Sequence, residues 1–182
     1  MAISAGKSII AQRMGDESYN VYAGLQFPEH WSKANTDLVH SADFRRHLVS
    51  EDFADWSSDV TDLVKLSDGT FHTWPLYSLP AEALCWKTIS NVCLVGDAAH
   101  VSLPNGEGVN CGMLDSMELG QEIVRNGLDH LDEAVRRYEE KMLPRGIEHI
   151  KDGEQMTKIF YEEDAPKAFK KWVTSMGEVV ES

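Results

Sequence analysis

The segment Asn91–Asp97, NVCLVGD, constrains this chain more than any other. It is too short for a helix and apolar on both faces. A strand of that kind belongs inside a parallel sheet, covered above and below. Such a strand delivers Gly96 and Asp97 to the carboxyl edge of its sheet, the edge beyond which open α/β sheets bind ligands. A loop of small residues follows, with Pro104 and Asn105. Gly106 and Gly108 then let a ligand come close to bare backbone. A helix is expected from Gly108 to Arg125, so free N–H groups and the positive end of its dipole face the same place. Asp97 can accept hydrogen bonds from hydroxyls. A ligand with a polyol on one side and an electron-accepting ring on the other suits this arrangement.

The flanking patterns are less specific. Lys7–Met14 and Ser18–Phe27 read as two strands around a Gly15-Asp16-Glu17 turn. In the second, Tyr19, Val21, Ala23, Leu25 and Phe27 alternate with polar or small neighbours, so one face should be buried. Residues 32–56 predict two short helices with a break near Ser50, and residues 57–66 predict another. Thr70–Leu79 reads as an edge or bulged strand because of Pro75. Met113, Leu114, Met117, Ile123 and Val124 form an apolar side on the helix after Gly108. A further helix begins near Leu131, with Pro144 expected to kink or restart it.

The 182 residues suit about one domain. Seventeen basic against 30 acidic residues give a net charge of −13, which disfavours nucleic-acid and anionic-membrane partners. No apolar run approaches the roughly 20 residues of a membrane span. Cys85, Cys93 and Cys111 form no C-x-x-C pair, so the default is a reducing, cytoplasmic compartment without a disulfide scaffold. No metal site is expected, since His100 has no second ligand at helical or hairpin spacing.

Gly96-Asp97-Ala98-Ala99-His100, Pro104, Gly106-Glu107-Gly108-Val109-Asn110 and Asp115, taken in order, resemble the second flavin fingerprint of FAD-dependent aromatic monooxygenases. These are relatives of para-hydroxybenzoate hydroxylase and of the tetracycline-inactivating monooxygenases. Phe71–Leu79 and the hairpin around Ile9–Arg13 and Val21–Gly24 resemble that family's strand toward the flavin face and its substrate-domain edge. The likeness covers only the C-terminal half of such an enzyme. It implies an α/β (α+β) fold: antiparallel substrate-domain strands, the last strand–helix unit of the FAD domain, and C-terminal helices. The corresponding segments are 1–80 (substrate-domain-like), 81–128 (FAD-domain-like) and 129–182 (C-terminal helices).

The resemblance also implies roles. Asp97, following Gly96, would bond the ribityl chain of FAD. Gly108, Val109 and Asn110, after Gly106, would offer N–H groups to the pyrimidine end of the ring. Pro104 would line the oxygen-reaction side. Tyr22, Trp74 and Leu76 would wall the substrate pocket. His72, His100 and Glu107 are the candidate acid–base groups. Two local departures stand out. The loop between His100 and Gly108 is one residue short of the common pattern, and Glu107 brings a negative charge beside the anionic locus. The larger departure is that no G-x-G-x-x-G occurs, and the middle Asp-Gly motif is absent as well. Gly6-Lys7-Ser8 mimics only the end of a P-loop.

Three functions remain open at this level. One is part of an FAD-dependent monooxygenase, reduced by NAD(P)H, that hydroxylates or epoxidises a phenolic or polyketide-like molecule. The chain would then act as a homodimer or with a complementing N-terminal half. The second is a flavin-free descendant using the retained pocket for cyclisation, isomerisation or rearrangement. The third is a non-catalytic binding module.

Overall fold

The computed structural model describes residues 1–180, with side chains through Ser175. The chain is mixed α/β and divides into two compact units, residues 1–75 with 158–182 and residues 76–157.

In the first unit, β1 (Ala2–Ser4), β2 (Lys7–Arg13) and β3 (Tyr19–Leu25) form an antiparallel sheet in the order β1-β2-β3. The turn after β2 is closed by Met14 N–H donating to Ser18 O at 2.8 Å, and the Asp16 carboxylate accepts from the Ser18 amide and hydroxyl. The alternation read from the sequence decides which side is covered. Val21, Ala23 and Leu25 pack on a core of Ile9, Val39, Phe44, Leu48, Phe53 and Val64. Tyr19 and Phe27, expected on that face, stay exposed because they lie at and beyond the ends of the pairing.

The helices over 32–56 break differently from expectation. α1 (Trp31–Ala34), α2 (Thr36–Val39) and α3 (Phe44–His47) are single turns, and a π turn at Leu48–Asp52 runs straight through Ser50. The first break has a local cause: the Asn35 side-chain amide donates to Trp31 O, competing with the helix ladder. α4 (Ser58–Lys65) lies where the pattern puts it. At the other end of the chain, α8 (Ala165–Val180) starts at Ala165, which is fully buried.

In the second unit, α5 (Asp97–His100), α6 (Gly108–Asn126) and most of α7 (Leu131–Tyr161) carry the structure. Their apolar core is Ala99, Tyr138 and Met142, with Trp86, Cys93, Leu119 and Leu143 against it. Pro144 sits inside α7 and does not restart it. Buried Tyr138 and Met142 on one side and Gly146, His149 and Ile150 on the other hold the helix through the lost N–H.

Two expected strands are not strands. Asn91–Gly96 and Thr70–Leu79 have no ladder; Val92 makes one isolated bridge to Ile89, and Leu79 N–H and Ser78 Oγ both donate to Val101 O. Strand structure needs a neighbour, and among the described residues neither segment has a neighbouring strand. The apolar side read along α6 is covered only in part, Leu114 and Ile123 being half-buried. Met113, Met117 and Val124 point outward, while Asp115 and Glu122 are buried. No described helix is long and apolar enough to cross a membrane.

Candidate flavin-facing site

Gly96 has φ 57° and ψ −139°, a conformation that only glycine takes without strain. A Cβ at Gly96 would sit 3.6 Å from the Gly112 Cα, so two glycines let the turn and α6 touch backbone to backbone. The turn is pinned from below by Asp115. Its Oδ2 accepts from Gly96 N–H at 2.8 Å and from His100 Nε2 at 2.7 Å, and its Oδ1 accepts from Arg145 at 2.8 Å. Arg145 also donates to Glu118 at 2.7 Å.

Asp115 and His100 are both fully buried. Burial alone would raise the Asp115 pKa, but the bonds from Arg145, Gly96 and His100 outweigh it and hold the carboxyl below its usual range. An ionised carboxylate only accepts, so the proton between the pair sits on His100 Nε2. His100 is thereby a structural donor to Asp115. Its Nδ1 has no partner among the described residues.

A second clamp holds the short loop. Asn105 Nδ2 donates to His149 Nδ1 at 3.1 Å and Asn105 Oδ1 accepts from Glu107 N–H at 2.9 Å. Ser102 donates to His149 O at 3.1 Å. Burial, and next the neighbouring His100, lower the His149 pKa, in keeping with an Nδ1 that accepts. In the unfolded chain this imidazole takes its proton near its ordinary value of 6.5, and in the fold only at lower pH. Between those values the unfolded state binds more protons, so stability falls as pH drops below about 6.5. Thermal midpoints should decline from pH 7 toward pH 5, and the decline should be shallower in His149→Gln.

The extended segment before the turn is tied to α7 by side chains. Trp86 Nε1 donates to Glu139 at 3.0 Å and Thr88 to the same carboxylate at 2.5 Å. Ser90 Oγ and Asn91 N–H donate to Asp132, and Tyr138 OH donates to Leu94 O at 3.1 Å. Burial, with Asp115 next, pushes the Tyr138 phenol far up, so it stays a donor. Burial likewise raises the Cys93 and Cys111 thiols, which are free and not thiolates.

What faces outward is a set of unpaired donors and one acceptor. The Asp97 carboxylate is exposed and makes no side-chain bond among the described residues. Gly106 has φ 88°, and a Cβ at Gly106 or Gly108 would meet nothing within 4 Å. The first N–H groups of α6, on Gly108, Val109 and Asn110, have no side-chain cap. Glu107 points its carboxylate to Asn110 Nδ2 at 2.9 Å. Pro104 is exposed. These groups suit the ribityl chain and the ring edge of a flavin; they contain no cradle for a pyrophosphate.

The remaining sequence candidates are all exposed. His72 and Trp74 are exposed, with ring centroids 6.3 Å apart, and Tyr22 is exposed on β3; all three lie in the first unit. Leu76 is exposed in the second. Asp115 stands in the motif without a role assigned from sequence. Arg145, 30 residues downstream of it, and His149, 44 downstream of Asn105, gave no signal.

A family model described as FAD binding domain matches residues 61–149. This segment belongs to that family. The match takes in the Gly96 turn, its Asp115 anchor and the start of α6. The chain is 32% identical over 127 residues to monooxygenase penA of Penicillium thymicola, covering 60% of this chain and 29% of that protein. It is 33% identical over 130 residues to 3-amino-4-hydroxybenzoate 2-monooxygenase PtnB3 of Streptomyces platensis, covering 71% and 32%. An FAD-dependent monooxygenase of Aspergillus terreus is 29% identical over 104 residues, covering 57% and 23%. The chain therefore spans about a third or less of the curated relatives it matches. Its likeness is to FAD-dependent monooxygenases, and the cofactor of the family is FAD.

Proposed function

We propose that this chain supplies the ribityl- and ring-facing wall of an FAD-dependent monooxygenase whose remaining parts come from further polypeptide. The observation that carries this reading is the Gly96–Asp97 turn anchored on Asp115 beside the uncapped start of α6. Asp97 accepts from the ribityl hydroxyls, and the amides of Gly108, Val109 and Asn110 donate to the pyrimidine edge of the ring. Donors held there stabilise negative charge on the ring. FAD supplies two-electron redox and oxygen chemistry when bound. Pro104 closes the side of the ring at which oxygen reacts, and NAD(P)H is the reductant. The substrate class is a small aromatic molecule, in line with the hydroxybenzoate in the name of the Streptomyces platensis relative, or a polyketide-like one. Tyr22 and Trp74 of the first unit, and Leu76 of the second, are each proposed as substrate contacts, and His72 and Glu107 are the acid–base candidates that stay open, His100 being committed to Asp115. Glu107 is the least settled electrostatically, since its charge lies near the locus where negative charge develops.

With no pyrophosphate cradle, the chain alone should bind FAD no tighter than high micromolar. Fluorescence quenching checks this, and a sub-micromolar dissociation constant would contradict it. In the assembled protein, Asp97→Ala should cost flavin affinity about 10- to 150-fold, the worth of a hydrogen bond to a charged acceptor. Flavin content per protein reads the effect directly, and unchanged content counts against the role of Asp97. Turnover of a substrate by colourless protein would favour the flavin-free descendant instead.

A further inference from the structure

Asn105 and His149 both lie outside the residues of the flavin fingerprint, yet together they hold its last part in place. The Asn105 carboxamide spans two partners. Its Oδ1 accepts from Glu107 N–H at 2.9 Å. Its Nδ2 donates to His149 Nδ1 at 3.1 Å and to His149 O at 3.3 Å. Glu107 is the N-cap of α6, and its carboxylate accepts from Asn110 Nδ2 at 2.9 Å. One amide side chain thus ties the first turn of α6, with the open N–H groups of Gly108, Val109 and Asn110, to a histidine on α7 that is 6% exposed.

The polarity of this tie depends on one proton. A neutral ring that accepts at Nδ1 requires Asn105 to present its NH2 there, which leaves Oδ1 for Glu107. A proton on Nδ1 sets a donor against a donor. If the carboxamide stays as it is, its bond to the ring is lost. If it turns over, Oδ1 reaches the ring and the NH2 opposes Glu107 N–H, so that bond is lost instead. The titratable and charged groups acting on the ring are His100 and Asp97 from α5, Glu107 from the loop and Asp152 from α7 itself. Burial, and next His100, oppose its protonation; the three carboxylates favour it.

We propose that His149, acting through Asn105, is a positioning residue for the first amides of α6, and that a proton on its Nδ1 releases them. That these amides face a flavin rests on the proposed function; the coupling of ring to amide does not. The full chain without flavin tests it, by amide exchange alongside an NMR titration of His149. As the ring takes up its proton, below its ordinary value of 6.5, the protection factor of the Glu107 amide should fall about fivefold, the worth of one neutral hydrogen bond. The Gly96 amide, held by Asp115, should keep its protection. Asn105→Asp should reverse the sign. Its carboxylate retains an acceptor for Glu107 and offers a second to the charged ring, so protection rises as His149 is protonated; a merely structural Asn105 gives no such reversal. His149→Asn, which sets an oxygen near the place of Nδ1 and takes up no proton, should keep the Glu107 bond and lose its pH dependence. Circular dichroism verifies that both variants keep their helices. A Glu107 amide indifferent to the His149 titration overturns the proposal, as does a response of unchanged sign in Asn105→Asp. Unfolding of the whole unit before the ring titrates overturns it too. The expected response in a chain whose assembled protein takes up no flavin supports the clamp and fails the flavin reading, so the two are separable.

Discussion

Asp115→Ala should destabilise the second unit by about 3–5 kcal/mol, enough to unfold a domain of ordinary stability. The loss has three parts. Gly96 N–H, His100 Nε2 and Arg145 would all lose their acceptor, and the first two are held where water does not reach easily. Arg145 would keep Glu118, so part of its charge stays compensated. Asp115→Asn should cost less, because one oxygen remains to accept. Chemical denaturation followed by Trp86 fluorescence, with limited proteolysis over 76–157, measures both. A change of under 1 kcal/mol in Asp115→Ala would mean the network is not what fixes the turn.

Gly153→Ala should be the next most damaging small change. A Cβ there would stand 2.1 Å from Ser102 Oγ and 2.5 Å from Leu103 O. The serine can rotate, but the Leu103 carbonyl is backbone, so the loop toward Asn105 must move. Overpacking of this kind costs about 1–3 kcal/mol, and here it also pulls on the Asn105–His149 clamp. Gly120→Ala is the matched control: nothing lies within 4 Å of its Cβ, and alanine in an exposed helix should gain up to about 1 kcal/mol. Thermal midpoints of the two should therefore move in opposite directions.

What could be read in the sequence follows from how local each signal is. The hairpin was legible because period-two alternation and a Gly-Asp-Glu turn are encoded within about 20 residues, while β1 is too short to carry a period. α6 and the start of α7 were legible from their spacing and from Gly127, but the face of α6 that turns inward was not. Hydrophobic periodicity reports the face that wants cover, and in this chain the cover for Met113 and Val124 is not among the described residues. The same holds for Asn91–Asp97, whose composition states strand and whose ladder requires a neighbour. In the site, the glycines and Asp97 were visible because a motif is contiguous. Arg145 and His149 act across a fold and leave no trace in spacing. That Pro144 would not restart α7 was not legible, because its propensity is local and the packing on either side of it is not.

The double clamp beneath the Gly96–Asn110 loop has a consequence for binding itself. Asp115 holds one end of the loop and His149, through Asn105, holds the other, and both do so with partners drawn from this chain. The conformational entropy of that loop is thus lost when the unit folds and not when a ligand arrives. A flavin meeting it forgoes the ordering cost of about 0.5–1.5 kcal/mol for each side chain that would otherwise be immobilised. Its association should accordingly show a small entropic penalty and little change in the exchange rates of the amides from Gly96 to Asn110.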